Sequence, residues 1–349
     1  MTSTLSPLSY DCITARDFAF HPVYRTSQIY QLVILIFSVF PLVYFIFFKL
    51  LKSNFHGNLK WTLTGYFGSV LIFTIAFQLM GVFHVVLPFM AKDPCDLLIN
   101  TNYLRLGHPL GSFLMTLSII FPVSISIERF VAMKRAKNYE KTNVLLGPVL
   151  VFQIIIINAF IIFSFYKDES FDFGEISFVV FPDAVAGKMF AYFLVILLLN
   201  IINFVFNLFL LKENSRLKRM NSTLATKYQL EEVYISTKFV VSVIFVHVSF
   251  FASYLFLMIS SQIILKTFLN AADMWAVTGA LMTMIATYNF AIGIFSVYLY
   301  NRVRAKKTLE FNGNIQMKST GSAGALNYDN AIFTIWNTSS SRFAKRNTI

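Results

Sequence analysis

The sequence predicts an all-α fold, a seven-transmembrane helix bundle with its N-terminus outside and its C-terminus cytoplasmic. Three observations predict it. Seven apolar runs, at about 30–48, 63–87, 103–127, 144–165, 185–211, 239–265 and 274–300, are each long enough to cross a bilayer, whose core of about 30 Å needs about 20 helical residues. With the N-terminus outside, the inner segments 49–60, 128–143, 212–238 and 301–349 hold 22 of the 29 Lys and Arg residues, and basic loops stay cytoplasmic. Charged residues make up only 13% of the chain, about half the roughly 25% usual in a soluble domain. The net charge of +12 is spread over four loops, so it marks topology and excludes a nucleic-acid-binding surface.

Taken in order, residues 1–29 form an extracellular N-terminal segment too short to fold alone. It carries Asp11, Arg16, Asp17 and Arg25 and has no apolar core, so no cleavable signal is expected and the first span serves as the insertion signal. Residues 30–300 form the seven-transmembrane receptor domain. The long outer loop 166–184 is acidic, with Asp168, Glu169, Asp172, Glu175 and Asp183 against Lys167. The longest inner loop, 212–238, is rich in Lys, Arg, Leu and Glu and reads largely as helix continuing from spans five and six. Residues 301–349 form a polar cytoplasmic tail, largely disordered by composition after the basic stretch 302–307. No internal repeat is evident, which speaks against a transporter built on inverted halves.

The strongest local signal is Glu128-Arg129-Phe130 at the inner end of span three. An acid–Arg pair there resembles the Asp-Arg-Tyr element of rhodopsin-like receptors. A charge pair at a helix end can bias two packings that differ by a few kcal/mol, so Arg129 can act as a switch facing a cytoplasmic partner. A plain interface pair fixing helix depth is the other reading. The second signal is Tyr228-Gln229-Leu230-Glu231-Glu232, just before span six. Glu231 and Glu232 can pair with Arg129, or simply favour a helix N-terminus as first-turn acids.

Together with Asp93-Pro94-Cys95-Asp96-Leu97-Leu98, and with Asn138-Tyr139-Glu140 following Glu128-Arg129-Phe130, these segments resemble the nematode serpentine chemoreceptors of the Sra superfamily, most like class alpha or alpha/beta. The resemblance covers about 30–300. It implies a chemosensory G-protein-coupled receptor that binds a small molecule and signals through a heterotrimeric G protein, in the plasma membrane of ciliated sensory neurons. Span six lacks the Trp-x-Pro of rhodopsin-like receptors, and Asn289 is followed by Phe290, not Pro.

The chain has two cysteines, Cys12 and Cys95. Both fall outside, where disulfides persist. Cys95 lies 34 residues before Arg129, about 50 Å of helix, which puts it in the first outer loop and not in span three. Cys12–Cys95 is the one intrachain bridge possible, with two free thiols as the alternative.

Polar residues within spans should face the bundle. Asn200, Asn203 and Asn207 share one face of span five, His247 lies in span six and Asn289 in span seven. They read as interhelical hydrogen bonds or as ligand anchors. Arg105 and Lys188, near outer helix ends, either hold an anionic ligand or snorkel to the interface. No catalytic motif, metal-ligand spacing or cofactor loop is present, so no enzyme, metal or cofactor is expected; membrane lipid is the solvent. A seven-span ligand-gated cation channel of the insect olfactory type is the alternative function, but its N-terminus lies inside, against the charge distribution here.

Overall fold

The computed structural model describes residues 7–136, 139, 143–169, 171, 177–178, 181–220, 224–264, 267–314, 326, 328–330 and 332–333. It is all-helical. Helix α1 (Pro7–Ala19) is followed by α2 (Pro22–Tyr44), which continues as a π-helical segment, Phe45–Leu50. Then come α3 (Gly57–Met90), a 3₁₀ turn (Pro94–Leu97), α4 (Thr101–Lys134), α5 (Leu146–Tyr166) and α6 (Asp183–Met220). Helices α7 (Leu224–Ile264), α8 (Ala271–Leu281) and α9 (Thr283–Asn314) complete the order. Among the described residues seven spans are long and apolar enough to cross a membrane, counting α2 with its π segment as one and α8 with α9 as one. The predicted all-α class with seven membrane-capable spans is the observed one. The chain divides into two units, 1–300 and 301–349, and the bundle lies in the first.

Helices outrun the apolar runs because their polar flanks are also good helix formers. Helix α2 starts at Pro22, in the first turn, where a missing N–H costs nothing. The segment 212–238 is mostly helix, shared between α6 and α7. Helix α1 has no counterpart among the expected elements. Asp172, Glu175, Asn138, Glu140 and nearly all of the tail beyond 314 lie outside the described residues.

Helix α4 is the central column. Of its most apolar window 72% is buried, against 28–39% for the other six spans, and it packs on α3, α5, α6 and α7. Its sequence suits that place. Ser112, Thr116, Ser118, Ser124 and Ser126 are small and buried, which lets helices approach closely. Several satisfy their hydroxyls on α4 itself, as Ser118 does on the Leu114 carbonyl at 2.8 Å. On the other spans, rings such as Phe40, Phe89 and Phe160 stay largely exposed, as a lipid-facing surface requires.

The bundle has two ends, here called the disulfide end and the Arg129 end. At the first, Sγ atoms of Cys12 and Cys95 are bonded at 2.02 Å. The Asp93-Pro94-Cys95-Asp96 run forms the 3₁₀ turn that presents Cys95, and the Asp96 carboxylate accepts the backbone N–H groups of Lys92 and Asp93 at 3.0 and 3.1 Å. Those bonds hold its pKa below the usual carboxylate range. Helix α1 packs Ala15 and Ala19 on Leu97, and Phe18 on Tyr24 and Ala276. His21 meets Asp273 of α8 at 3.1 Å. Pro88, inside α3, cannot donate to the His84 carbonyl four residues earlier. Arg25 Nη1 reaches that oxygen at 3.4 Å and the Val85 oxygen at 3.3 Å.

At the other end α5 is pressed against α3. Gly147 N–H donates to Asn58 Oδ1 at 3.0 Å. A Cβ on Gly147 would lie 2.4 Å from the Asn58 carbonyl oxygen and 2.9 Å from its Cα. Backbone cannot swing aside, so Gly147→Ala is expected to lower stability by about 1–3 kcal/mol by overpacking. Gly68→Ala, where an added Cβ meets open space, is the control. Equal thermal midpoints for the two purified variants would contradict this account of the α3–α5 contact.

Candidate functional site

Two places in the bundle concentrate polar chemistry. The first is at the Arg129 end of α4. Glu128 and Arg129 are both buried, at 0% and 2% exposure, which is costly for charges unless every valence is met. Arg129 curls back on its own neighbour: Nε donates to Glu128 Oε2 at 2.6 Å and Nη2 to Oε1 at 2.7 Å. Arg129 Nη1 crosses to α7 and donates to Ser236 Oγ at 2.5 Å. The Tyr139 hydroxyl donates to Glu128 Oε1. Burial and the adjacent carboxylate push the Tyr139 phenol well above its ordinary pKa, so it stays protonated and a donor. His56, whose Nδ1 accepts from the Asn58 N–H at 3.3 Å at the start of α3, sets its ring 4.2 Å from that of Tyr139 at a tilt of 45°.

The cluster thus ties α3, α4 and α7 through one carboxylate and one guanidinium. The sequence-predicted acids divide. Glu231 pairs with Lys218 of α6 and not with Arg129, so it closes the α6–α7 hairpin. Glu232 lies within electrostatic reach of Arg129, and its backbone carbonyl accepts from Ser236 Oγ at 2.9 Å. Ser236, Tyr139, His56 and Asn58 were not assigned roles from sequence. A faint signal for Ser236 exists: it lies four residues after Glu232, on the same helix face.

The second place is a cavity toward the disulfide end, in two chambers that share Phe73, Met115 and Ile285 as a wall. The deeper one is a half-open cleft of about 460 Å³, lined by His247, Phe250, Phe251 and Tyr254 of α7, Ser118 and Ile119 of α4, and Met284, Tyr288 and Asn289 of α9. The shallower one, about 470 Å³, is lined by Phe77, Met80, His108, Ser112, Phe178 and Met282 among others. At the floor, Tyr66, Tyr288 and His247 form a chain: hydroxyl to hydroxyl at 2.6 Å, then hydroxyl to Nδ1 at 2.7 Å.

Of the residues proposed from sequence as ligand anchors, His247 and Asn289 line a chamber, the deeper one. Arg105 and Lys188 are exposed and line neither. Long cationic side chains near helix ends extend toward the interface instead. Asn200 and Asn207 reach α4. Asn200 Nδ2 donates to the Ile119 carbonyl at 3.1 Å, and Asn207 Nδ2 to Ser126 Oγ at 2.5 Å and to the Asn203 carbonyl at 2.7 Å. The bonds to Ile119 and Ser126 are interhelical, each worth about 0.6 kcal/mol, and the one to Asn203 stays within α6. Among the described residues no group of three His, Cys, Asp or Glu side chains is placed to hold a metal ion.

Comparison with known proteins gives this geometry a family. The profile described as "Serpentine type 7TM GPCR chemoreceptor Srb" matches residues 20–251. Serpentine receptor class beta-7 of Caenorhabditis elegans is 51% identical over 97% of this chain and 97% of its own. Class beta-15 of the same organism is 45% identical over 95% and 99%, and class beta-11 is 41% identical over 94% and 95%. The motif resemblance pointed to class alpha or alpha/beta, and these full-length matches correct it. With seven membrane-capable helices and relatives aligned almost end to end, the chain belongs to the Srb family, the class beta serpentine receptors.

Proposed function

We propose that this multi-pass membrane protein is a chemosensory G-protein-coupled receptor. A small molecule binds in the two-chambered cavity, and a heterotrimeric G protein docks at the Arg129 end. Two independent lines support an extracellular disulfide end. The basic residues gather in the opposite loops, and disulfides persist in oxidising compartments. The observation that carries the reading is the bond from Arg129 to Ser236. It joins α4 to α7, and α7 also lines the ligand chamber through His247 and Phe251. A ligand that shifts α7 therefore acts on the contact that keeps Arg129 turned inward. No catalytic chemistry is part of this reading, and the named relatives are receptors. Its place is the plasma membrane, with sensory cilia as the proposed compartment.

Protease added to intact cells should cleave a tag placed before Met1 and spare one placed after Ile349. The reverse pattern would sink both the orientation and the docking of a G protein on Arg129. With the orientation met, agonist-dependent nucleotide exchange on a co-expressed G protein is the positive test. Glu128→Gln should raise exchange in the absence of agonist, because it weakens the hold on Arg129 while keeping side-chain shape. Wild-type basal exchange in that variant, at equal surface level, would make the pair merely structural.

A further inference from the structure

The deeper chamber carries a hydrogen-bond deficit that specifies what enters it. No Asp, Glu, Lys or Arg appears among the lining residues of either chamber. The walls are mostly Phe, Met and Ile. In such a site an ionic ligand would lose its hydration and gain no counter-charge.

The protons can be counted. Among the described residues, the Tyr66 hydroxyl has one hydrogen-bond partner, the Tyr288 hydroxyl, and Tyr66 is fully buried. Tyr288 also meets His247 Nδ1. If Tyr66 donates to Tyr288 and Tyr288 donates to Nδ1, both phenolic protons are used. The opposite order leaves the Tyr66 proton buried with no acceptor, which is the costlier arrangement. His247, neutral in this order, then carries its own proton on Nε2 and is a donor. That Nε2 has no hydrogen bond, and neither does Asn289 Nδ2, although the two side chains are 2% and 1% exposed. The Ile119 carbonyl lies close to the imidazole but not in hydrogen-bonding geometry to Nε2, and it accepts from Asn200 Nδ2 at 3.1 Å. Two buried donors without acceptors, in one apolar chamber, are complementary to an oxygen that has lone pairs and no charge.

We infer that the ligand of this cavity is a neutral, largely apolar molecule bearing an acceptor oxygen, as in a ketone, aldehyde or ester, and that His247 and Asn289 receive that oxygen. This inference rests on the reading of the cavity as the ligand site. It sets aside the anionic ligand that Arg105 and Lys188 suggested.

The test uses the full chain, purified and held in phosphatidylcholine nanodiscs, with four probes of one carbon count: methyl hexyl ketone, octane, octanoate and octylamine. The ketone should raise the thermal unfolding midpoint in a saturable way, and octane should need about tenfold more to match it. Octanoate and octylamine should give no saturable shift. His247→Phe and Asn289→Leu should each weaken the ketone about tenfold and leave octane unchanged, while His247→Gln, which keeps an N–H donor, should retain much of the ketone response. Two separate sites of substitution guard against one variant failing to fold. Octane equal to ketone, preference for either ion, no saturable binding by any probe, or unchanged ketone affinity in both His247→Phe and Asn289→Leu would each overturn the inference. Ketone binding with no nucleotide exchange in cells would leave the ligand chemistry standing and remove the receptor reading. Exchange driven by a charged ligand alone would do the opposite.

Discussion

Arg129→Ala is expected to destabilise the folded protein by about 3–5 kcal/mol, the cost of stranding one member of a buried ion pair. The residue at stake is its neighbour. Glu128 has no exposure and takes two of its bonds from the guanidinium. Without Arg129 those two are lost, and the Tyr139 hydroxyl, a neutral donor, is left facing the carboxylate. Surface labelling of intact cells should show a marked loss of receptor, and the purified variant should unfold at a lower temperature. Glu128→Gln combined with Arg129→Gln should recover much of the loss, since it removes both charges from the same buried volume. Normal surface level and midpoint in Arg129→Ala would mean that solvent reaches Glu128 and that its burial is wrong. One practical consequence follows for signalling assays. A silent Arg129→Ala receptor cannot be read as an uncoupled one until its surface level is matched.

Cys12→Ser and Cys95→Ser should each lower stability by about 2–4 kcal/mol, the common range for a protein disulfide. The bond closes a segment spanning 83 positions, for which a coil formula gives about 4–5 kcal/mol. That figure assumes a fully disordered unfolded chain. Here the closed segment contains α2 and α3, which persist as inserted helices when the bundle comes apart, so less freedom is gained and the lower range applies. Because each substitution removes the same cross-link, the double variant should match either single one. Reductant should shift the wild-type midpoint down to theirs. Additive losses would show that the two positions act separately.

The legible part of this chain was its long-period information. Seven apolar runs and the placement of Lys and Arg predict the all-helical seven-span class, because a span must satisfy its backbone internally wherever it meets lipid. Helix α1 escaped notice because, among its described side chains, Cys12, Ala15, Phe18 and Ala19 make the buried face, too short a pattern over 13 residues to stand out. The cavity escaped for a different reason. Phe73, Met115, His247 and Tyr288 come from four helices, so no local spacing marks them. The Arg129–Ser236 bond links residues 107 apart in sequence, and a serine carries little signal of its own. The class was misread for a related cause. Asp96 caps a turn, Glu128 neutralises an arginine and Glu231 closes a hairpin; such jobs identify the fold more than the class within it.

The Glu128–Arg129 pair is made by adjacent residues of a single helix. Most charge neutralisation inside bundles has to wait until two helices meet. Here the guanidinium and carboxylate can find one another while α4 is still alone among lipids, since both of their mutual bonds lie within that helix. An unpaired arginine held at the membrane boundary of a packed helix is costly to bury; one already neutralised by its neighbour is far less so. Biogenesis of the central helix therefore does not depend on the later arrival of α7. Ser236 and Tyr139 can be recruited at the assembly stage, so the same pair eases insertion first and takes up the proposed switching contact with α7 only afterwards.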